Sequence, residues 1–444
     1  MNMIRVKTIA ILLIAFVASQ HKAWGQSGSW AGDTQPYTSV STTTILIQNA
    51  GQLAKLAAVV NEGADLSTVT INLTADINLS AHYWVPIGTA THPFNGTFDG
   101  GSHTVSGLNI NDGTLDNAGL FGYASCATIS NLTVSAGSIV ADENVGVLAG
   151  SLYSSNITSC SVSATSISGT RNVSALVGYC DRVSGITSCT VTGTTAVSLA
   201  NNTDNNSTLS GCQNKPCDVT LSNHTFYKDG KWNTICLPFD YDPAYGVLAG
   251  DGVEVYTLTS ANIDGTRLNL FFGENVAGNG VMRAGTPYII KWNNTGVNLT
   301  SPVFQGVVPR VTDSVEYDNK AAGDARVRVR FRGTLNPVLL SADQSILFMG
   351  ANNTLYYPST AITMGACRAY FKIGEDGGSA SVRQMESFDF TFDVAEENVA
   401  GIITTTSDRG MMPDVWYTLD GRKLDKRPTQ KGIYIFNGKK GVIK

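Results

Sequence analysis

Basic side chains are nearly missing from the middle of this chain. Between residues 43 and 211 the sequence has only Lys55, Arg171 and Arg182, against ten acidic residues. A surface without clustered Lys and Arg gives a phosphate backbone nothing to neutralise it, so nucleic acid is not an expected partner. Charge is scarce overall, at 15% of 444 residues, and the net charge is −5. The five histidines, His21, His82, His92, His103 and His224, show no metal spacing such as His-Glu-x-x-His, so no metal site is expected. There is no Gly-x-Ser-x-Gly elbow and no P-loop, so no catalytic residues and no cofactor are expected. Beyond the first 25 residues no run is apolar enough to cross a bilayer, so the mature chain should carry no membrane-spanning segment.

The exception at the start has its own pattern. Arg5 and Lys7 precede an apolar run from Ile9 to Ala18, and Ala23-Trp24-Gly25 offers a small-x-small cleavage site before Gln26. Residues 1–25 therefore read as a secretory signal, and the expected location is extracellular or at the cell surface. Residues 26–42 are polar and rich in Ser and Thr, which predicts a flexible leader.

What is present is a repeat. Leu120-Phe121-Gly122, Leu148-Ala149-Gly150 and Leu176-Val177-Gly178 start 28 residues apart, and each is echoed about ten residues later by Leu132-Thr133-Val134, Cys160-Ser161-Val162 and Cys189-Thr190-Val191. A fixed period of this size means stacked coils, each burying its apolar side chains against its neighbours. Ahead of the coils, Asn49 is a helix N-cap, Leu53, Leu56, Ala57 and Val60 fall at helical spacing, and Gly63 is a stop. That predicts one amphipathic helix covering the open end of the first coil. The register assigns Cys160 and Cys189 to the same inward position of successive coils, as packing residues whose pairing stays open. Of the eight cysteines, Cys212 and Cys217, in Gly-Cys-Gln-Asn-Lys-Pro-Cys, are the best candidates for a disulfide, because a short polar loop with Pro brings its ends together. The states of Cys126, Cys160, Cys180, Cys189, Cys236 and Cys367 are not set by their spacing.

The stretch Trp84-Val-Pro-Ile-Gly88, Phe94-Asn-Gly-Thr-Phe98-Asp-Gly-Gly101 and His103 to Ile110, taken with the Gly-Leu-Phe-Gly and Leu-Val-Gly coils, resembles the GLUG-motif repeats of bacterial surface proteins. The resemblance implies a right-handed parallel β-helix over residues 43–211 and adhesin-like surface display. From residue 212 the texture changes to short strands between Gly, Asn and Pro turns, which predicts an antiparallel β-sandwich over 212–400. Its strings Trp232 to Phe239, Ala284 to Trp292 and Ala366 to Phe371 look like a module that recurs in exported Bacteroidales proteins. Residues 401–413 read as a linker. Residues 414–444 predict a β-hairpin similar to the C-terminal sorting signals of type IX secreted proteins, with packing on the sandwich as the plain alternative. The expected fold is thus all-β: a capped parallel β-helix, an antiparallel sandwich and a small C-terminal hairpin.

Chemistry has few footholds. A carbohydrate-active β-helix, lyase or glycosidase, would use clustered carboxylates, and Asp99 or the pair Asp142-Glu143 are the acids to consider. Asp99 lies in a Phe-Asp-Gly-Gly turn, where capping of backbone amides is the simpler role. Binding asks less of the sequence. The turn aromatics Tyr83, Trp84, Tyr123, Tyr153 and Tyr179 are candidate ligand-binding residues for a glycan or a host or matrix protein, with plain packing as the rival. Tyr123 and Tyr179 directly follow the repeated Gly122 and Gly178, so they are expected to align across coils. The favoured reading is an adhesin-like binding protein, with the enzyme and a structural subunit of a surface assembly as alternatives.

Overall fold

Alternation within each short strand puts one apolar side chain in and the next out, and the coils of the repeat lay these inward positions on top of one another. In the computed structural model, which describes residues 29–30, 34–41, 43–250, 252–311, 316–320, 328–342, 344–350, 353–374, 384–392, 416–418, 423–424, 432–436 and 439–443, this gives a parallel β-solenoid of about five turns. One face stacks Thr44–Ile47, Thr70–Leu73, Thr97–Asp99, Thr128–Ser130, Asn156–Thr158 and Gly185–Thr187. A second stacks Ile77–Asn78, Thr104–Asn111, Thr133–Val140, Ser161–Ser168 and Thr190–Val191, and a third stacks Phe121–Ser125, Ala149–Tyr153 and Val177–Cys180. The interior is a set of columns. Ile71, Phe98, Ile129 and Ile157 pair in register and are fully buried, as are Val105, Val134 and Val162. Each such burial is worth roughly 1.5–3 kcal/mol.

Backbone turns repeat with the columns. Asn117, Asn144 and Asn172 adopt φ of 63°, 56° and 53°, in the left-handed region that Asn tolerates. Their amides form a ladder, the Asn144 Nδ2 donating to Asn117 Oδ1 at 3.1 Å and the Asn172 Nδ2 donating to Asn144 Oδ1 at 2.5 Å. The glycines of the repeated triplets lie against these turns. A Cβ on Gly150 would sit 2.4 Å from the Asn117 carbonyl carbon, and one on Gly178 would sit 2.4 Å from that of Asn144. The glycine of the 28-residue motif is therefore required by the close approach of the neighbouring coil.

At the N-terminal end a helix, α1 (Ala50–Asn61), closes the first turn between Thr44–Ile47 and Thr70–Leu73, which pair parallel. Asn49 caps it, accepting from Gln52 N at 3.0 Å, and Leu53, Leu56 and Val60 are fully buried in the solenoid core. The expectation of a flexible leader over 26–42 needs correction where the residues are described. Trp30 is buried with its Nε1 donating to Leu79 O at 3.0 Å, Tyr37 packs on the core, and Thr38–Ser41 pairs antiparallel with Thr44–Ile47. The apolar rings and the otherwise unpaired strand edge outweigh the Ser/Thr content. The expected signal (1–25) and linker (401–413) lie outside the described residues.

The solenoid stops at Val191, earlier than the expected boundary of 211. Thr195–Ala200 pairs instead with Cys217–Ser222, and its Val197 and Leu199 join Leu209 and Cys212 of a short helix, α2 (Asn206–Cys212), in a second core. That core and a third one, around Leu270, Phe331 and Phe371, belong to the β-sandwich that follows. Its sheets are antiparallel except where Thr195–Ala200 meets Cys217–Ser222 and where Arg267–Phe272 meets Ser387–Phe392. The chain divides after Ala395 into a second compact unit. There the expected hairpin, Gly432–Phe436 with Lys439–Ile443, is extended by Trp416–Thr418 and Lys423–Leu424 into a four-stranded antiparallel sheet.

Loops of the sandwich close part of the solenoid's last turn. Val308 is fully buried in the solenoid core. Asp240, whose side chain is 2% exposed, accepts from Val173 N at 3.1 Å on the solenoid side and from Ala284 N at 2.8 Å on its own. Its ion pair with Arg310 is 2.6 Å long, and Arg310 in turn donates to the carbonyls of Gly169 and Thr170, both at 2.9 Å. Arg283 continues the asparagine ladder by donating to Asn172 Oδ1.

Two predictions concern this framework. Asp240→Ala leaves the buried Arg310 charge without its counterion and the Val173 and Ala284 amides without their acceptor, and should lower the unfolding free energy by about 3–5 kcal/mol in urea titration. His224 is 1% exposed with no partner for Nε2, and burial, reinforced by the Arg368 charge, pushes its pKa down to about 3. An unfolded His titrates near 6.5, so below that pH the unfolded chain takes up a proton that the folded one refuses. Stability should be complete above about pH 6.5 and fall toward pH 3 by about 1.4 kcal/mol per pH unit. His224→Gln should remove about 2 kcal/mol of the loss between pH 6.5 and 5, measured by urea titration at both values.

Candidate binding face

On the third face of the solenoid, Tyr123 and Tyr179 occupy equivalent positions, each in register with Ser151 of the intervening coil. A serine there would leave a gap between the rings. Tyr153, two residues further along the same strand, leans into it. Its ring stacks on Tyr123 at 4.9 Å with an interplanar angle of 10°, and on Tyr179 at 5.4 Å and 37°. All three phenols are raised above their ordinary pKa, chiefly by partial burial and further by the Asp181 carboxylate. Burial opposes ionisation of Asp181 itself, but bonds from Ser184 and from the Ser154 amide outweigh it and hold its carboxyl below the usual range.

The strip continues onto the sandwich. Arg182 makes a bidentate pair with Asp242 at 2.7 and 2.8 Å and donates to the carbonyls of Gly278 and Gly280. Its guanidinium lies 5.7 Å from the ring centroid of Tyr245, a ring that is 38% exposed. Next to this contact a cleft of about 500 Å³ opens between the solenoid's last turn and the sandwich. Its solenoid wall is mainly apolar, from Leu176, Val177, Ile186 and Val191 with the Cys189 thiol, and its sandwich wall carries Asp218, Asp240, Tyr241, Asp242 and Gln305. Ile186 stands in the same interior column as Ile129 and Ile157, yet it is 37% exposed, because no further coil covers it.

Of the residues singled out from sequence, the structure brings Tyr123, Tyr153 and Tyr179 together. Trp84 must be corrected: it is 3% exposed, with Nε1 donating to Leu120 O at 3.0 Å, so its ring is core and offers no face to a ligand. Tyr83 is 48% exposed and takes no part in the stack. Cys212 and Cys217 are buried free thiols, the Cys217 thiol donating to Cys212 O at 4.0 Å and the Cys212 thiol to Leu209 O at 3.5 Å. The acids considered for catalysis are engaged locally. Asp99 accepts from Gly101 N and from Asn131 Nδ2, Asp142 from Thr170 Oγ1, and Glu143 pairs with Arg171. Among the described residues no group of three or more His, Cys, Asp or Glu could hold a metal ion, and no helix is long and apolar enough to cross a membrane. Tyr245 and the asparagine ladder were missed from sequence. The ladder had a signal, since Asn117, Asn144 and Asn172 precede the repeated triplets at nearly constant offset; Tyr245 had none.

No family profile matches the chain, and no solved structure does. A search of curated proteins finds similarity to Halomucin of Haloquadratum walsbyi, 34% identical over 131 residues. The match covers 27% of this chain and 1% of Halomucin, so the chain spans a very small part of that relative's length.

Tyr153→Ala removes both ring contacts of the ladder. At about 0.5–1.5 kcal/mol per aromatic pair, thermal unfolding should report a loss of about 1–3 kcal/mol, against a change within about 0.5 kcal/mol for Tyr83→Ala.

Proposed function

We propose that the protein is an exported, adhesin-like binding protein that contacts a glycan through the tyrosine ladder and the adjoining cleft, without catalysis. The observation that carries this reading is the stack of half-buried phenol rings, Tyr123, Tyr153 and Tyr179, beside Arg182, over which Tyr245 lies at the cleft mouth. Stacked rings edged with hydroxyls suit the apolar faces and hydroxyl rims of sugars, and they suit protein surfaces by the same amphipathic character. The solenoid fold and the partial likeness to Halomucin are compatible with display at a surface, as is the resemblance of the repeats to GLUG-motif proteins. The signal-like start and the tail similar to type IX sorting sequences support export.

Glycan arrays and matrix-protein panels probed with the full chain test the reading. Binding should fall at least tenfold in Tyr153→Ala and in Tyr245→Ala and stay unchanged in Tyr83→Ala. Turnover of a polysaccharide that disappears when Asp99, Asp142 or Glu143 is replaced by Ala would overturn it in favour of a carbohydrate-active enzyme.

A further inference from the structure

Cys160 and Cys189 turn the same corner in the last two coils. Each follows a serine in the left-handed conformation, Ser159 and Ser188, both at φ 54°, and each leads into a strand of the second face. Those strands pair parallel, Ser161 opposite Thr190, and Thr190 N donates to Cys160 O at 2.9 Å. Neighbouring strands lie about 4.8 Å apart, inside the range of about 4.4–6.8 Å that a disulfide requires between Cα atoms. Each thiol donates to a carbonyl of its own corner, Cys160 to Thr158 O and Cys189 to Thr187 O, both at 3.4 Å.

Their exposure differs. Cys160 is 1% exposed, whereas Cys189 is half-buried and lines the cleft at the solenoid end. The neighbouring Cys160 thiol lowers that of Cys189 to about 6, against some desolvation, and is itself raised. Two other cysteine pairs set the contrast. Cys236 and Cys367 meet through a backbone bond of 3.3 Å but are 0% and 1% exposed, and burial pushes both thiols up. Cys212 and Cys217 are 5% and 0% exposed, and neither lines the cleft.

We propose that Cys160 and Cys189 form a reactive dithiol that a small disulfide oxidant entering the cleft converts into a bond between coils. The Cys189 thiolate attacks one sulfur of the oxidant, giving a mixed disulfide and releasing one thiolate, which takes a proton from solvent. Cys160 then loses its proton and its sulfur attacks that of Cys189, expelling the second thiolate, which is protonated in turn. Two protein thiols are oxidised to one disulfide, and one small disulfide is reduced to two thiols. The new bond closes the segment from Cys160 to Cys189, which contains the edge strand Gly185–Thr187, and so pins the last coil where no further coil stacks on it.

The test uses the full chain, reduced, freed of reductant and incubated with oxidised glutathione at pH 7. After alkylation and peptide mapping by mass spectrometry, the expected product is a Cys160–Cys189 linkage formed ahead of any other, with Cys236 and Cys367 alkylated only after denaturation. The oxidised form should unfold at higher temperature than the reduced one. A glutathione adduct that persists on Cys189, or a linkage of Cys189 to Cys180, would overturn the proposal. In Cys160→Ser, folded by circular dichroism, the mixed disulfide on Cys189 should accumulate. A second measurement needs no variant: alkylation of Cys189 in the native protein should reach half its maximal rate near pH 6. A rise only near the ordinary thiol value of about 8.5 would contradict it.

Discussion

A stack of coils has two ends at which apolar columns and strand edges would meet water, and the buried Asp240–Arg310 pair is what fastens a cover to the second end. Its partners come from both sides of the seam. Asp240 takes the Val173 amide from the solenoid and the Ala284 amide from the sandwich, while Arg310 reaches back to the carbonyls of Gly169 and Thr170. A buried ion pair is tolerated when every lone pair and nearly every proton has a partner, and here the solenoid's own unpaired backbone groups supply several of them. The cost of ending the repeat is thereby reduced by the same contacts that hold the sandwich in place.

The two ends are closed differently. At the first, Trp30, Thr38–Ser41 and α1 cover the core with local sequence, within one turn of the chain. At the second, Val308 fills one part of the core opening while Ile186 and Val191 stay partly uncovered. Closure from a separate module is a fit between two finished surfaces, and the cleft is where that fit is incomplete. The tyrosine strip runs to its mouth because the ladder follows the coils and the coils end there.

Much of the solenoid was legible because its constraint is periodic. The Gly122, Gly150 and Gly178 register reports the close approach of neighbouring coils directly, and the Leu, Ile and Val columns report burial at the same period. Non-periodic facts were harder to read. Trp84 has the composition of an exposed turn aromatic, and only its place beneath Leu120 makes it core. The strand Thr195–Ala200 keeps the alternation of the coils but finds its partner in Cys217–Ser222, a choice made by matching Val197 and Leu199 to Val219 and Leu221. Tyr245 joins the candidate site through a contact across the seam, and contacts between modules leave no spacing in sequence.

The carboxylates that line the cleft are all held by partners. Asp218 accepts from Thr194 Oγ1 and Gly306 N, Asp240 is held by Arg310 and two amides, and Asp242 is clamped by Arg182. Drawing Asp240 or Asp242 toward a ligand would undo a contact between the sandwich and the solenoid, so these two stabilise the wall. What remains for a ligand is an apolar floor, phenol rings and hydroxyls, a surface whose attraction is short-ranged and depends on shape more than on salt. The scarcity of basic residues in the coils has the same consequence along the ladder. On the proposed reading a neutral, ring-bearing ligand suits such a strip, whereas a strongly anionic polymer would meet the Asp181 carboxylate beside Tyr179.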